Sequence, residues 1–251
     1  MHWLLITDSA PAAHAAMQSA QIHMPRVTPE LICAVPQPYT ADIIDSYDIL
    51  LSRFLCSSID LQDSFKTQVL QAVGRLHGDF GNMEPMTMIT SDRQLFRRRV
   101  DLRDAWSILR TEEVSGLALG LDNQLSNTCL IPPPHFERHE PHAQTPYSTW
   151  QWNSSPDPYA SWFRLGTVYR THDLLSALYR NQWDSPTTLL AALQGDVAQR
   201  RRLVACLDEA AIIDRPVEVK AATAMYRSNQ IFDLAHLTET GEVRWQFYEE
   251  N

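Results

Sequence analysis

The stretch Met86–Leu102, "MTMITSDRQLFRRRVDL", decides how the rest of the chain is read. Met86, Met88 and Ile89 form an apolar run of strand character, which breaks at Ser91-Asp92 into a charged loop with Arg93, Arg97, Arg98 and Arg99. In open α/β sheets, ligands collect beyond the C-terminal ends of the strands. Asp92, at such an end, is either a site residue or a turn residue bonding its own backbone. Both readings stand at this point.

Working outward, "HWLLITD" reads as a strand ending at Asp8, followed by an alanine-rich helix opened by Ser9-Ala10-Pro11 and running to about His23. "ELICAVP" is a second short strand, stopped by Pro36, and "YDILLSRFL" reads as a third. In "DLQDSFKTQVLQAVGRL", Leu61, Phe65, Val69, Ala72 and Val73 recur at helical spacing behind Asp60 as N-cap. With "MTMITSD" next, the order strand, helix, strand, strand, helix, strand predicts a single α/β domain with a central mixed, mostly parallel sheet flanked by helices. Asp8 and Asp92 then share one rim, and so one cleft.

Further on, "DLRDAWSILRTEE" predicts a helix, and "VSGLALGLD" a buried strand ending at Asp122. From Pro132 to Pro158 come seven prolines, three histidines and two tryptophans, an excursion expected to hold little regular structure and to border the cleft. Order returns in "WFRLGTVYRTHDLLSALYR", as strand, turn and a helix from Thr171, then in the helix "PTTLLAALQGDVAQRRRL", the strand "AAIIDRPVEV", and a closing short helix with an aromatic tail from "QIFDLAHL" onward.

The 251 residues carry a formal net charge of -9, which argues against a general nucleic-acid-binding surface. Cys33, Cys56, Cys129 and Cys206 form no CxxC pair, so neither a zinc site nor a redox motif is signalled. They read as reduced core residues of a cytoplasmic protein. No segment approaches the ~18 apolar residues of a membrane span, and the start lacks the basic region of a secretory signal. No GxSxG elbow, P-loop or GxGxxG is present.

Several pieces, in this order, resemble a bacterial group of glycosyltransferase-like proteins with the GT-A type nucleotide-sugar fold. The matching pieces are "SFKTQVL", "ITSDRQLFRRRVDL", "LALGLDNQLSNTC", "WQWN", "RLGTVYRTHDLL", "DSPTTLLAAL" and "IDRPVEV", spread over nearly the whole chain. The resemblance implies a transferase-like cleft, with residues 1–121 as the nucleotide-binding half and 122–251 as the acceptor half. It also implies a nucleotide sugar as ligand, an acceptor of unspecified kind, and an acid cluster holding Mn²⁺ or Mg²⁺ against the diphosphate. A hard cation there offsets the charge that develops as the leaving group departs.

The chain departs from that pattern where the chemistry would sit. The acid cluster falls on Asp92-Arg93-Gln94, which keeps one carboxylate, and the family's "DGH" turn falls on Leu165-Gly166-Thr167. One Asp and one Gln hold such cations poorly, so no metal ligand set is predicted, and Arg93 stands where a guanidinium could neutralise a diphosphate directly. The altered cluster leaves two expectations open. One is a transferase; the other is an inactive relative serving as a binding or assembly subunit, with a protein partner or a second copy of itself.

The resemblance places Asp8, Lys66, Asp92, Arg93, Gln94, Asp122 and Trp152 on the nucleotide-sugar side. For Lys66 a solvated lysine is the competing reading, and for the tryptophans Trp150, Trp152 and Trp162 it is core packing against stacking on a sugar face. Asp92, Asp157, Asp173 and Asp214, with Glu218, are the candidates for the carboxylate chemistry that an acceptor hydroxyl requires. His135, His139 and His142 have spacing that would suit a metal on a helix, but the prolines around them argue against one. Of Arg97 to Arg99, at least one is expected to pair with Asp101 or Asp104.

Overall fold

The computed structural model describes residues 1–35, 37–56, 61–75, 85–120, 137–139, 146–151, 165–201, 203–214, 230–232 and 245–247. At its centre is an eight-stranded sheet built from β1 (His2–Thr7), β2 (Pro29–Cys33), β3 (Met86–Ser91), β5 (Val114–Ala118), β6 (Glu137–His139), β7 (Tyr147–Gln151), β8 (Thr167–Arg170) and β9 (Leu203–Leu207). The spatial order is β2-β1-β3-β8-β5-β9-β7-β6. β8 runs antiparallel to β3 and β5, and β7 antiparallel to β9 and β6, while the other strands share one direction. The sheet is mixed and mostly parallel, as predicted.

Alternation along the strands feeds two cores, as a sheet covered on both faces requires. Trp3 and Leu5 of β1 join one buried cluster, with Leu31, Met88 and Leu207. Leu4 and Ile6 point the other way, into a cluster with Ile32, Val69, Val204 and Trp183. The first face is covered by α1 (Ala10–His23), α2 (Ala41–Arg53) and α4 (Leu102–Leu109), and the second by α3 (Phe65–Arg75), α5 (Thr171–Arg180) and α6 (Pro186–Arg200). Where α1 meets the sheet it presents Ala13, Ala16 and Ala20, small enough to let the helix lie close on β1.

Several expectations need correcting. "YDILLSRFL" is not a strand but most of α2, whose N-cap Thr40 accepts from Ile43 N–H and whose buried residues Ser46, Tyr47 and Leu50 follow helical spacing. α6 ends at Arg200, short of the expected Leu203, which instead opens β9, an interior strand between β5 and β7. The excursion also contains regular structure. Its β6 and β7 pair antiparallel, and β7 continues the sheet against β9. The aromatic and β-branched run Tyr147–Gln151 follows Pro146, so no proline interrupts the ladder there, and Trp150 is buried in the core. Glu137–His139, within the proline-flanked histidine segment, forms the edge strand.

Two small ribbons complete the described structure. β4 (Gln94–Phe96), which was read as loop, pairs antiparallel with β10 (Ile212–Asp214), the predicted late strand. β11 (Gln230–Phe232) pairs with β12 (Trp245–Phe247), so "QIF" opens a strand rather than the expected short helix.

Candidate functional site

From β1 the chain moves to β2 on one side and later to β3 on the other, which makes the gap between the C-terminal ends of β1 and β3 a topological switch point. Asp8 follows β1 and Asp92 follows β3, so the two carboxylates share one rim, as expected. Arg93 and Gln94 lie beside them, and the β4–β10 register sets the backbone of Asp214 opposite Gln94.

Asp92 is the buried member, only 3% exposed. Its N–H donates to the Ile6 carbonyl at 3.0 Å, tying the end of β3 to β1. Its Oδ2 accepts from the backbone N–H of Asp8 at 2.9 Å and of Ser9 at 3.2 Å. Ser9 is the N-cap of α1, so the carboxylate faces the positive end of a helix. Even so, burial, followed by the nearby Asp8 carboxylate, pushes the Asp92 carboxyl from 3.8 up to about 7; the hydrogen bonds from Asp8, Thr7 and Ser9 only partly oppose this. Asp92 can therefore carry a proton near neutral pH.

Asp8 and Arg93 are the accessible pair. Arg93 Nη2 lies 3.3 Å from Asp8 Oδ2, with side chains 63% and 52% exposed. An ion pair so open to water is weak, so the guanidinium is free to turn to another anion. Gln94, by contrast, is committed to the scaffold. Its Oε1 accepts from Ser91 N–H at 3.2 Å, and its Nε2 donates to the Leu165 carbonyl at 2.7 Å. The next residue, Gly166, has φ 97°, a conformation that favours glycine, and a Cβ there would stand 3.0 Å from Gln94 Nε2. The "LGT" turn is thus the seat on which Gln94 rests.

Behind the rim, sequence reading missed a polar layer. The Thr7 and Tyr47 hydroxyls lie 3.1 Å apart, and Tyr47 is 1% exposed, its phenol raised well above the ordinary value by burial and then by Cys33. Burial also raises the Cys33 thiol. Tyr47 belongs to α2, and the strand reading of that segment hid its inward face.

The remaining predicted residues separate. The side chain of Lys66 lies over the Trp183 ring, 5.2 Å from its centroid. Asp173 does not join the rim. Arg170 is paired in register with Met86 at the start of β3, so the head of α5 lies at the opposite edge of the sheet. There Asp173, 5% exposed, accepts from Arg201 Nε at 2.8 Å and lies 3.4 Å from Arg170 Nη1, a structural ion cluster. Asp122, Asp157 and Trp152 lie outside the described residues, as do Asp60, His135, His142, Trp162 and Glu218. His139 bonds Thr149 at 2.8 Å and stacks on Tyr147.

The arginine run resolves residue by residue. Arg97 Nε donates to the Ala210 carbonyl at 2.8 Å, and Arg98 meets Glu209 at 2.6 Å rather than either expected aspartate. Asp101 caps α4 by accepting from Arg103 N–H.

The donors on the rim do not suit a tightly held Mn²⁺ or Mg²⁺. Asp92 Oδ2 is occupied by two backbone amides, Gln94 Oε1 by a third, and Arg93 stands against Asp8. Among the described residues, no group of three or more His, Cys, Asp or Glu could hold a metal ion. Nor is any helix among them long and apolar enough to cross a membrane.

Among solved structures, the chain is similar to Staphylococcus aureus TarS 1-349 in complex with UDP, with a TM-score of 0.50 at 12% identity over 85% of this chain and 60% of that one. The fold is of the GT-A type. A second structure of TarS 1-349 gives the same TM-score, identity and coverage. At this identity the likeness is one of fold, and the chain spans 60% of the length of the TarS fragment. No protein-family model matches the chain. No curated protein sequence matches it either.

Proposed function

We propose that the chain binds a nucleotide sugar at the rim between β1 and β3 and transfers the sugar to an acceptor hydroxyl. The observation that carries this reading is the meeting of Asp8, Asp92 and the exposed Arg93 at the switch point of a GT-A type sheet. In this reading residues 1–121 hold the nucleotide, with Arg93 exchanging Asp8 for the diphosphate and Lys66, Asp122 and Trp152 completing the donor side. Residues 122–251 hold the acceptor. The acceptor oxygen attacks the anomeric carbon, the bond to the diphosphate breaks with its electron pair leaving on the nucleotide, and the hydroxyl proton passes to a carboxylate. Asp214 and Asp157 are the candidates for that base; Asp173, at the far edge, is not. Buried Asp92 holds the β1–α1 turn and with it the rim.

A second reading is supported by the commitment of Asp92 and Gln94 to backbone groups: a nucleotide-free relative that acts as a binding or assembly subunit for another protein or another copy of itself. Calorimetry with UDP and GDP, in Mn²⁺ or in EDTA, on the wild type and Arg93→Ala separates the two. Metal-independent binding that weakens by about tenfold or more in Arg93→Ala is expected for one lost charge-assisted contact. Binding that vanishes in EDTA yet survives Arg93→Ala would defeat the role given to Arg93, and no binding under any condition would favour the assembly subunit.

A further inference from the structure

A second groove, of about 490 Å³, lies between the C-terminal end of α1 and the segment leading into α4. It is at the other end of α1 from Asp8 and Asp92, and a 14-residue helix is about 21 Å long, so the two sites are separate. Arg26, Arg99 and Arg103 line it, brought together from the α1–β2 connection, the β4–α4 connection and the first turn of α4. Three guanidinium groups around one hollow are out of keeping with a chain of net charge -9.

Their engagement differs from that of the neighbouring arginines. Arg97 and Arg98 are held by Ala210 and Glu209, whereas Arg26 and Arg99 have no ion-pair partner among the described residues. Asp101 is the one carboxylate on the lining. It is spent on capping α4 through Arg103 N–H at 2.8 Å and stands 4.0 Å from Arg103 Nε. Uncompensated guanidinium groups around a hollow favour an anion, and their planar forks suit phosphate oxygens two at a time. Apart from His23 the rest of the lining is apolar, with Val27, Val100 and Ile22, the last 63% exposed although it is a large hydrophobic residue. The volume is in the range of small-molecule sites, which combine apolar walls with a few convergent polar groups.

We infer that this groove is a binding site for a small phosphate ester with an apolar arm, the phosphate held by Arg26, Arg99 and Arg103 and the arm lying on Ile22, Val27 and Val100. The ligand is distinct from the one proposed at the rim. The arginine side chains are exposed, so their substitution leaves the core intact.

The test uses octyl phosphate as probe, with inorganic phosphate and octanol as the two halves of its chemistry, followed by calorimetry and by amide shifts in NMR. Octyl phosphate is expected to bind more tightly than either half, to shift residues 22–27 and 99–103, and to weaken by about tenfold or more in Arg99→Ala and in Arg26→Ala. Arg93→Ala is expected to leave this binding unchanged, and Arg99→Ala to leave any UDP binding unchanged, so the two proposals fail separately. Vesicles of phosphatidylcholine with phosphatidylglycerol distinguish a lipid headgroup from a free ester. Binding to those vesicles without binding of octyl phosphate would overturn the small-ester site. So would octyl phosphate binding that is indifferent to both arginine substitutions, or none at all.

Discussion

Replacing Asp92 by asparagine is expected to stabilise the protein, increasingly so as the pH rises. The side chain is 3% exposed, and its carboxyl is raised from 3.8 to about 7. A carboxyl raised in the folded state holds its proton more tightly there. Its contribution to stability is therefore fully present below the ordinary carboxylate range and is lost as the pH rises through about 7. The whole loss is on the order of 4 kcal/mol, of which roughly a third falls between about pH 6 and about pH 8.5. Asparagine keeps an oxygen to accept from Asp8 and Ser9 N–H and carries no charge to bury. Urea unfolding of both proteins at the two pH values measures the difference. The variant's advantage should grow by roughly 1 kcal/mol across that interval. An asparagine variant that is less stable at both values, by an unchanging margin, would mean that the α1 amides hold Asp92 ionised, and the reasoning from burial would be wrong.

Two further outcomes test the frame around the rim. Gly166→Ala should destabilise by about 1–3 kcal/mol in thermal or urea unfolding, because φ 97° and the 3.0 Å approach of Gln94 Nε2 leave no room for a Cβ; an unchanged melting temperature would show that the turn relaxes freely. Asp173→Ala should cost about 3 kcal/mol or more by breaking the buried pairs with Arg170 and Arg201, and should leave UDP affinity unaltered. Loss of affinity with stability intact would return Asp173 to the candidate site.

The parts of the fold legible in the sequence were those where one periodicity ran unopposed. β1, β3 and α1 were marked by apolar runs and by Ser9 with Pro11, and their order alone placed Asp8 and Asp92 together. α2 was lost because Ile49, Leu50 and Leu51 stand together and imitate a strand, while the cap at Thr40 and the first turns of the helix lie before Tyr47. β9 was lost because Arg200, Arg201 and Arg202 prolong a helical composition up to its first residue. The prolines drew attention away from Tyr147–Gln151, where the strand signal is local and the partner, β9, lies far along the chain. At the site, residue type indicated which carboxylates could matter. It could not separate Asp92, turned inward on two amides, from Asp173, bound between two arginines at the opposite edge. That distinction depends on three-dimensional partners.

The position of β8 has a consequence for biosynthesis. β3 and β5 are not neighbours in the sheet; β8, which begins at Thr167, lies between them and pairs with both. As the chain leaves the ribosome from its amino end, the sheet strands up to Ala118 can assemble in their final order only as a β2-β1-β3 piece whose β3 edge still lacks its neighbour, and β5 stays apart from it. Ribosomes add about 5–20 residues per second, so these edges stay unpaired for several seconds while the next fifty or so residues are made. An unpaired strand edge invites pairing with other chains. The nascent polypeptide thus passes through an interval of exposure that ends when a single four-residue strand slots between β3 and β5 and joins them into one sheet.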